Sequence, residues 1–310
     1  MPVGTGRPPL APARVWLPSW LLLVVVWGFA FLFIKVAVEV LAPLQVAFGR
    51  VALGAAVVLV LVAVTRRRLP RDWRAWRDVS VVALFLHTAP FTLFAFGETR
   101  ISSVLAGIWN ATTPLWAVLF GLALLPEERL TRERLAGLTL GFVGVLVVLG
   151  VWQGVGGADL LGSAACVAAT ACYGVGVSLT RRLLSGRPEG PLPVVAAQLT
   201  SGSLQLAVLV LLFTAPPGSL PLDVVGAMLL LGVASTGLAF VLNFRIVRDA
   251  GPVVSAATTY ATPLVSTVAG VVLLGEPLAW YQPVGAVVVL SGVALIQGLV
   301  RLPRRARPEG

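Results

Sequence analysis

Ten apolar stretches, each long enough to cross a lipid bilayer as a helix, divide this chain of 310 residues. Crossing a hydrocarbon core of about 30 Å takes roughly 20 apolar helical residues. With 58% hydrophobic and only 12% charged residues, the chain lies outside the composition of soluble domains. We therefore expect an all-α integral membrane protein with ten transmembrane helices. The stretches are residues 17–38, 43–65, 79–97, 102–125, 135–152, 159–180, 192–214, 222–242, 251–275 and 280–300.

The basic residues are divided unequally between the two sides that ten helices would create. Of the 23 Lys and Arg residues, 20 fall on one side, Lys35 and Arg100 fall on the other, and Arg50 lies inside a stretch. Cytoplasmic segments of membrane proteins carry the excess of Lys and Arg, so we expect both termini in the cytoplasm. The ratio of 22 Arg to 1 Lys is typical of a GC-rich bacterial genome, which would make this the inner (plasma) membrane.

The two halves of the chain resemble each other in sequence. The tetrapeptide TTPL at 112–115 matches ATPL at 261–264 with a shift of 149, and Glu128 matches Glu276 with a shift of 148. Shifts of 146 to 148 also pair Trp27 with Tyr173, Lys35 with Arg181, Arg50 with Gln198, Gly54 with Gly202, and Gly137 with Gly285. Since each half contains an odd number of helices, the second half must run inverted in the membrane.

This repeat gives the domain boundaries. Residues 17–152 form the first five-helix repeat and residues 159–300 form the second, with a short linker at 153–158. Residues 1–16 are a cytoplasmic segment and residues 301–310 a basic cytoplasmic tail. Two inverted repeats around a central cavity are typical of transporters that rock between two facings, although gene duplication also builds channels and scaffolds.

Five motifs stand out along the chain. They are WGFAFLFIK at 27–35, the Arg50 position, TTPLWAVLFGLALLPEERLT at 112–131, SAATTYATPLVSTVAGVVLLGEPL at 255–278 and PVGAVVVLSGVAL at 283–295. Together they resemble the EamA-type, ten-helix branch of the drug/metabolite transporter superfamily over essentially the whole apolar region. The resemblance implies two EamA units, a basket of helices around a central substrate pocket, and export of small metabolites such as amino acids.

The composition leaves little material for other chemistry. There are 13 acidic residues and one histidine, and the chain has no Walker loop, no His-Glu-x-x-His and no Gly-x-Ser-x-Gly. We expect no enzymatic activity, no cofactor and no metal. The arginine-rich loop 66–77 is explained by a cytoplasmic position and contact with anionic lipid, not by nucleic acid. The expected partners are a small-molecule substrate and lipid, and a homodimer is left open.

Substrate sites of such transporters lie near the midplane, where helices break and polar groups converge. Pro114 and Pro263 occupy corresponding stretches, and a proline inside a helix frees a carbonyl of the preceding turn. We expect these helix breaks to serve gating. The candidate substrate-binding residues beside them are Trp109, Asn110, Thr113, Thr259 and Tyr260. In the alternative interpretation, the threonines bond their own helix and the prolines only shape it.

His87, the one histidine, lies in the third stretch on a helical face that it shares with Phe91, Phe94 and Glu98. A histidine inside a membrane is a functional candidate by default. It would couple transport to protons, line the pocket as a neutral hydrogen-bonding group, or pack structurally. Glu98 is expected to be a solvated helix end near Arg100.

Arg50 lies about 10 Å inside the second stretch, seven residues past Pro43. Its guanidinium would bind a substrate carboxylate bidentately, pair with Glu39, or snorkel to the outer interface. The resemblance places an architectural or gating arginine at this position. Lys35, near the end of the first stretch, is expected to be a snorkelling anchor.

Trp27, Phe31 and Tyr173 are candidates for the wall of the pocket, because ligand cavities combine apolar faces with a few polar tips. Trp27 and Tyr173 are equivalent in the repeat and each precedes a glycine. The alternative is that such aromatic residues face lipid.

The sequence thus predicts a secondary-active or facilitative transporter that exports small metabolites, such as amino acids, by alternating access. Uptake, or efflux of cationic drugs, would use the same fold. An alternative from a different class is a membrane scaffold or receptor that does not transport.

Overall fold

The computed structural model describes residues 12–128, 130–153, 159–251, 254–255, 257–297 and 299. The predicted tail 301–310, the predicted linker after Gln153 and residues 1–11 of the predicted N-terminal segment lie outside these residues. Across the described ranges the secondary structure is helical, without a strand. The helices are α1 (Ala13–Ala37), α2 (Pro43–Val64), α3 (Trp73–Glu98), α4 (Ser103–Leu124), α5 (Arg132–Leu149), α6 (Leu160–Leu184), α7 (Pro191–Phe213), α8 (Leu222–Ala250), α9 (Thr258–Leu274) and α10 (Tyr281–Ile296).

Seven of these helices, α1–α4 and α6–α8, are long and apolar enough to span a membrane. Helix α5 begins with three charged residues in a row, and α9 and α10 are apolar but only 17 and 16 residues long. Large apolar side chains cover the outside of the bundle, for example Leu211 at 83% exposure and Leu222 at 90%. Such a surface is stable in lipid and not in water.

Among the described helices, three contain a π-helical segment, in which each backbone hydrogen bond spans one residue more than in an α-helix. They are Leu84–Thr88 within α3, Thr180–Leu184 at the end of α6 and Leu230–Leu238 within α8. A shift of 149 residues places the segment of α3 on Val233–Gly237, inside the segment of α8. In these two helices the halves therefore deviate from α-helical geometry at matching positions, which the sequence analysis did not predict.

Helix α4 is interrupted at Ala111–Thr112, between the segments Ser103–Asn110 and Thr113–Leu124. Pro114 is the second residue of the later segment, where a missing N–H leaves no helical hydrogen bond unmade. Pro263 lies inside the continuous helix α9. The two prolines thus occupy matching positions in the repeat but affect their helices differently.

Helices α5 and α10 pack closely through glycines. A Cβ atom added at Gly137 would lie 2.5 Å from the Gly292 carbonyl oxygen, and one at Gly292 would lie 2.5 Å from that of Gly137. Gly144 and Gly285 make a second such pair, with distances of 3.0 and 2.9 Å. Small residues let helix backbones approach within a membrane, so these glycines fix the α5–α10 contact.

Candidate functional site

A cavity of about 330 Å³ lies in the centre of the helical bundle. Seven helices contribute to this central cavity, namely α1–α4, α6, α8 and α9, so it lies between the two sequence halves. Its volume is at the lower end of the range of small-molecule sites. The lining residues are Trp27, Ala30, Phe31, Ile34, Arg50, Leu86, His87, Phe91, Phe94, Asn110, Thr113, Tyr173, Val177, Ser235, Thr236, Phe240, Thr259 and Thr262.

Two matching pairs of polar residues line the cavity from α4 and α9. Asn110 and Thr113 are three residues apart on α4, as are Thr259 and Thr262 on α9. Thr259 and Thr262 lie on one face of α9, whereas Asn110 and Thr113 reach the same cavity from the two sides of the interruption in α4. The shift of 149 that relates TTPL to ATPL converts one pair into the other.

Trp109 and Tyr260, which the sequence analysis grouped with these residues, lie outside the lining. Trp109 is fully buried in a core cluster that includes Phe31. Tyr260 packs against a cluster that contains Leu115 and Val289. Trp109 and Tyr260 are each adjacent in sequence to a lining residue. One residue corresponds to about 100° of helical rotation, so both side chains point toward a neighbouring helix and not into the cavity.

Aromatic rings form much of the cavity wall. Phe94 lies 5.6 Å from Phe31 and 6.1 Å from Tyr173, and Phe91 lies 6.4 Å from Tyr173, measured between ring centroids. Offset and edge-to-face contacts at these distances are favourable. The rings support one another across α1, α3 and α6, so the wall is a packed surface and not a set of independent side chains.

Arg50 lines the cavity with a side chain held from two directions. Its Nε–H donates to Thr236 Oγ1 at 3.0 Å, and the guanidinium carbon lies 3.8 Å from the ring centroid of Phe91. The residue is only 8% exposed. The predicted alternatives of pairing with Glu39 and of snorkelling to the interface are wrong, because the side chain is fixed inside the bundle.

His87 is buried in the cavity wall between two phenylalanine rings. Its ring centroid lies 5.7 Å from that of Phe91 and 5.8 Å from that of Phe240. The Gln198 amide lies beside the imidazole, but neither ring nitrogen makes a hydrogen bond of good geometry with another described residue. The imidazole is therefore a buried polar group in the wall of the cavity.

The central cavity brings together most of the residues that the sequence analysis named. The cavity-lining members are Trp27, Phe31, Arg50, His87, Asn110, Thr113, Tyr173 and Thr259. Trp109, Tyr260, Pro114 and Pro263 lie outside the lining.

Sequence reasoning missed the contribution of α8, which supplies Ser235, Thr236 and Phe240. The repeat contained a signal for two of them, because a shift of 149 converts His87 to Thr236 and Phe91 to Phe240.

A second cavity of about 360 Å³ adjoins the first and shares Leu86 and Phe240 with it. We call it the vestibule. It is lined by the ends of α6 and α8 and the start of α7, and it includes Arg187 and Gln198. Arg187 forms an ion pair with Asp78 at 3.1 Å. The vestibule therefore lies between the central cavity and the end of the bundle that carries the arginine-rich loops.

The opposite end of the bundle is held by Lys35. Its Nζ donates to the backbone carbonyl oxygens of Glu98 at 2.8 Å and Ile101 at 3.0 Å. The end of α3 thus supplies acceptors for Lys35 that the sequence did not predict. The prediction of a solvated Glu98 is wrong, since this residue is fully buried.

Glu276, which follows α9, closes the same end of the bundle. Its carboxylate accepts from the Ser103 N–H and Oγ–H at 2.8 Å each and from the Val104 N–H at 3.0 Å. These donors belong to the first turn of α4, where backbone N–H groups lack helical partners and the helix dipole favours a negative charge. The contact therefore joins α9 to α4.

Glu128, the repeat counterpart of Glu276, makes different contacts at the vestibule end. Its carboxylate pairs with Arg181 at 2.6 Å and with Arg134 at 2.5 Å. Hydrogen bonding to Arg181, and then to Arg134, lowers the pKa of the Glu128 carboxyl below its usual value. The two ends of the bundle are thus fastened differently.

In the described part of the chain, no group of three His, Cys, Asp or Glu side chains could hold a metal ion.

Comparison with known proteins finds relatives along most of the chain. The model of the EamA-like transporter family matches residues 15–150 and, separately, residues 160–298. An uncharacterized transporter of Archaeoglobus fulgidus is 24% identical over 286 residues, covering 90% of this chain and 98% of that protein. Protein PecM of Dickeya dadantii is 25% identical over 285 residues, covering 91% and 92%.

A solved crystal structure has the same fold, with a TM-score of 0.64 at 22% identity. The alignment covers 93% of this chain and 98% of that one, and at this identity it concerns the fold alone. The family model matches once in each half, so the chain has the two-repeat architecture of that family.

Proposed function

This chain belongs to the EamA-like transporter family, within the drug/metabolite transporter superfamily, and we propose that it exports small metabolites, such as amino acids, by alternating access. One observation supports the proposal. A cavity lined by polar and aromatic side chains lies between the two sequence halves and shares two lining residues with a vestibule, and Lys35 and Glu276 fasten the opposite end of the bundle. A substrate site of this kind between two repeats is what alternating access requires.

The proposal includes ten membrane-spanning helices in two inverted halves. Helices α9 and α10 contain no charged residue, and the charged residues of α5 are confined to its first turn. Helices shorter than the bilayer are accommodated by local thinning of the membrane or by snorkelling of flanking residues. Because each half has five helices, the halves have opposite orientations.

Pairs of contacts that are equivalent in the repeat support the inversion. A Cβ added at Gly54 would lie 2.6 Å from Thr236, and one at its counterpart Gly202 would lie 3.4 Å from His87. Thr236 and His87 are themselves related by the shift of 149. The same contact, made from each half onto the other, is expected when a two-fold axis relates the halves.

A second pair of contacts has the same relationship. A Cβ at Gly28 would lie 2.5 Å from Val265, and one at Gly174 would lie 2.6 Å from Trp116. Gly28 corresponds to Gly174 and Trp116 to Val265. The contact between α1 and α9 therefore has its counterpart between α6 and α4.

We further propose that the vestibule faces the cytoplasm and that this structure is inward-facing. The segments 66–77 and 181–187 lie at the vestibule end and carry nine arginines between them, which the positive-inside rule assigns to the cytoplasm. Both termini are then cytoplasmic in a bacterial inner membrane, and loop 66–77 is positioned to contact anionic lipid. The Lys35 and Glu276 contacts form the outer closure.

Flux in proteoliposomes tests the proposal. We expect uptake of at least one labelled amino acid above protein-free liposomes, in parallel assays with and without an imposed pH gradient. Ala30→Phe fills the central cavity and should abolish the flux, whereas Val60→Phe, at a position 61% exposed on the outside, should preserve it. Equal flux in both variants would contradict transport through this cavity.

A second test does not depend on the substrate. With Cys166 and Cys172 replaced by serine, a single cysteine at Thr259 would report access to the cavity. Alternating access predicts labelling by membrane-impermeant thiol reagents from either side, in different fractions of the molecules. Labelling from one side only, under every condition, would indicate a receptor or scaffold.

A further inference from the structure

We infer that Arg50 is an anion-binding residue and that the substrate is a small carboxylate with an apolar body. This inference rests on the proposed function and names the substrate class of the same cavity. It excludes amines that lack an acidic group, and therefore cationic drugs, as preferred substrates.

The charge of the cavity lining is the first observation that supports an anion site. Arg50 is the one Lys, Arg, Asp or Glu side chain in the described lining, so the cavity contains a cation without a carboxylate facing it. Electrostatic interactions are strong in an environment of low dielectric constant. A buried guanidinium without a counterion attracts an anion and repels a substrate whose charge is positive.

Glu98 interacts electrostatically with Arg50 but makes no hydrogen bond with it. It lies outside the lining. Both of its carboxyl oxygens are buried and accept no hydrogen bond from a described residue. The guanidinium is therefore left to interact with the content of the cavity.

The orientation of the guanidinium is the second observation that supports an anion site. Thr236 accepts a hydrogen bond from the Nε–H, and Phe91 covers one face of the planar group. No described residue accepts a hydrogen bond from the two terminal Nη groups of Arg50. Parallel N–H groups of this kind bind the two oxygens of a carboxylate, and the contacts with Thr236 and Phe91 restrict the side chain before the anion arrives.

The remaining wall defines the body of the substrate. Phe31, Phe94, Tyr173 and Phe240 present aromatic surfaces, and the volume of about 330 Å³ admits a group of about the size of a phenyl or branched alkyl chain. The hydroxyl and amide groups on α4 and α9 can accept hydrogen bonds from an ammonium group, so both simple carboxylates and zwitterions fit.

The anion site occurs in the first repeat and has no charged counterpart in the second. The counterpart of Arg50 is Gln198, a neutral side chain that lines the vestibule. The cavity thus has one anion site, on the side of α2 and α8. The carboxylate binds there and the apolar body extends along the aromatic wall.

Binding measurements on the full chain in lipid nanodiscs test this inference. The ligands are four compounds that share a phenyl body, namely 3-phenylpropionate, phenylalanine, phenethylamine and 3-phenylpropanol, titrated by calorimetry. We expect the two carboxylates to bind at least tenfold more tightly than the amine and the alcohol.

Arg50→Gln, which installs the side chain of the repeat counterpart, should weaken carboxylate binding at least tenfold without changing alcohol binding. Arg74→Gln, at an exposed position, should change neither.

Three results would overturn the inference. They are equal affinity for the amine and 3-phenylpropionate, unchanged carboxylate affinity in a folded Arg50→Gln protein, and no binding of any carboxylate. If Arg50→Gln does not fold, the selectivity of the unmodified protein among the four ligands decides alone. Failure here is distinguishable from failure of the proposed function, because thiol access from both sides does not depend on which ligand binds.

Discussion

The carboxylate of Glu276 accepts hydrogen bonds from both the N–H and the hydroxyl group of Ser103, at 2.8 Å each, across 173 residues of sequence. The bonds fasten the end of α9 to the first turn of α4, the two helices that carry the matching polar pairs of the cavity. An outward-facing state requires these helices to separate at this end. In the proposed alternating-access cycle, the Glu276–Ser103 contact would therefore break and re-form.

Glu276→Gln is expected to weaken the outer closure. An amide cannot accept hydrogen bonds with both of its heavy atoms, and it loses the favourable charge at the helix N-terminus. Hydrogen bonds to charged groups contribute about 1.5–3 kcal/mol, so we expect the ratio of outward-facing to inward-facing molecules to rise at least about tenfold.

Distances between spin labels measure this ratio. Labels at Thr99 and Leu278, in protein without native cysteines, would report the separation of the two ends. Glu39→Gln, an exposed acid at the same end of the bundle, is the matched control and should leave the distances unchanged. An unaltered distance distribution in Glu276→Gln would mean that Glu276 does not hold the closure.

Lys35→Met is expected to destabilise the protein. The substitution keeps the length of the side chain but leaves the carbonyl oxygens of Glu98 and Ile101 without their donor. Unpaired buried acceptors cost about 1–3 kcal/mol, and we expect thermal unfolding in detergent at a lower temperature. Arg100→Gln removes a more exposed cation nearby, whose 3.4 Å pair with Asp159 is weak. A larger effect of Arg100→Gln than of Lys35→Met would contradict this role.

Lys35 also illustrates what a single sequence leaves out. A lysine near the end of an apolar stretch predicts snorkelling only if water is its nearest acceptor. Here the end of α3 offers two carbonyl groups, and the hydropathy of α1 contains no information about that neighbour. The buried position of Glu98 was missed for the same reason.

The helices and part of the site were predictable from local signals. The stretch 43–65 agrees with α2 (Pro43–Val64) because proline and the following apolar run mark the helix directly. Asn110 and Thr259 stood out as polar residues beside prolines in matching positions. Ser235 and Thr236 gave no such signal, because small hydroxyl residues often bond their own helix.

The π-helical segment of α8 makes the contribution of that helix to the cavity hard to predict. One extra residue in the turn rotates the following side chains relative to an ideal α-helix, so an α-helical projection does not place Thr236 and Phe240 correctly. Hydropathy contains no information about this geometry. The register of the repeat predicts the positions of both residues, because it relates them to His87 and Phe91 on α3.

Gly137→Ala is expected to destabilise the α5–α10 contact. The added Cβ would lie 2.5 Å from the Gly292 carbonyl oxygen, so the two backbones must move apart. Overpacking of this kind costs about 1–3 kcal/mol. The same substitution at Gly226, where nothing lies within 4 Å, should be neutral or stabilising because alanine favours the helix. Equal unfolding temperatures for the two variants would show that this crossing is not close-packed in the membrane protein.

The pH dependence of stability is expected to contain a contribution from Glu128. Its pairs with Arg181 and Arg134 lower the pKa of the carboxyl in the folded state, so the unfolded chain binds the proton more readily. The contribution is therefore present above the usual pKa of a glutamate and is lost as the pH falls through the lowered pKa.

Because the Arg181 partner is half exposed, we expect Glu128→Gln to lower the free energy of unfolding by only about 1 kcal/mol near pH 7. Unfolding temperatures of Glu128→Gln and the unmodified protein should converge as the pH falls through the lowered pKa, whereas Glu127→Gln, at the exposed neighbouring position, should match the unmodified protein throughout. A difference that stays undiminished down to the lowest pH at which the protein folds would mean that Glu128 contributes through packing and not through its charge.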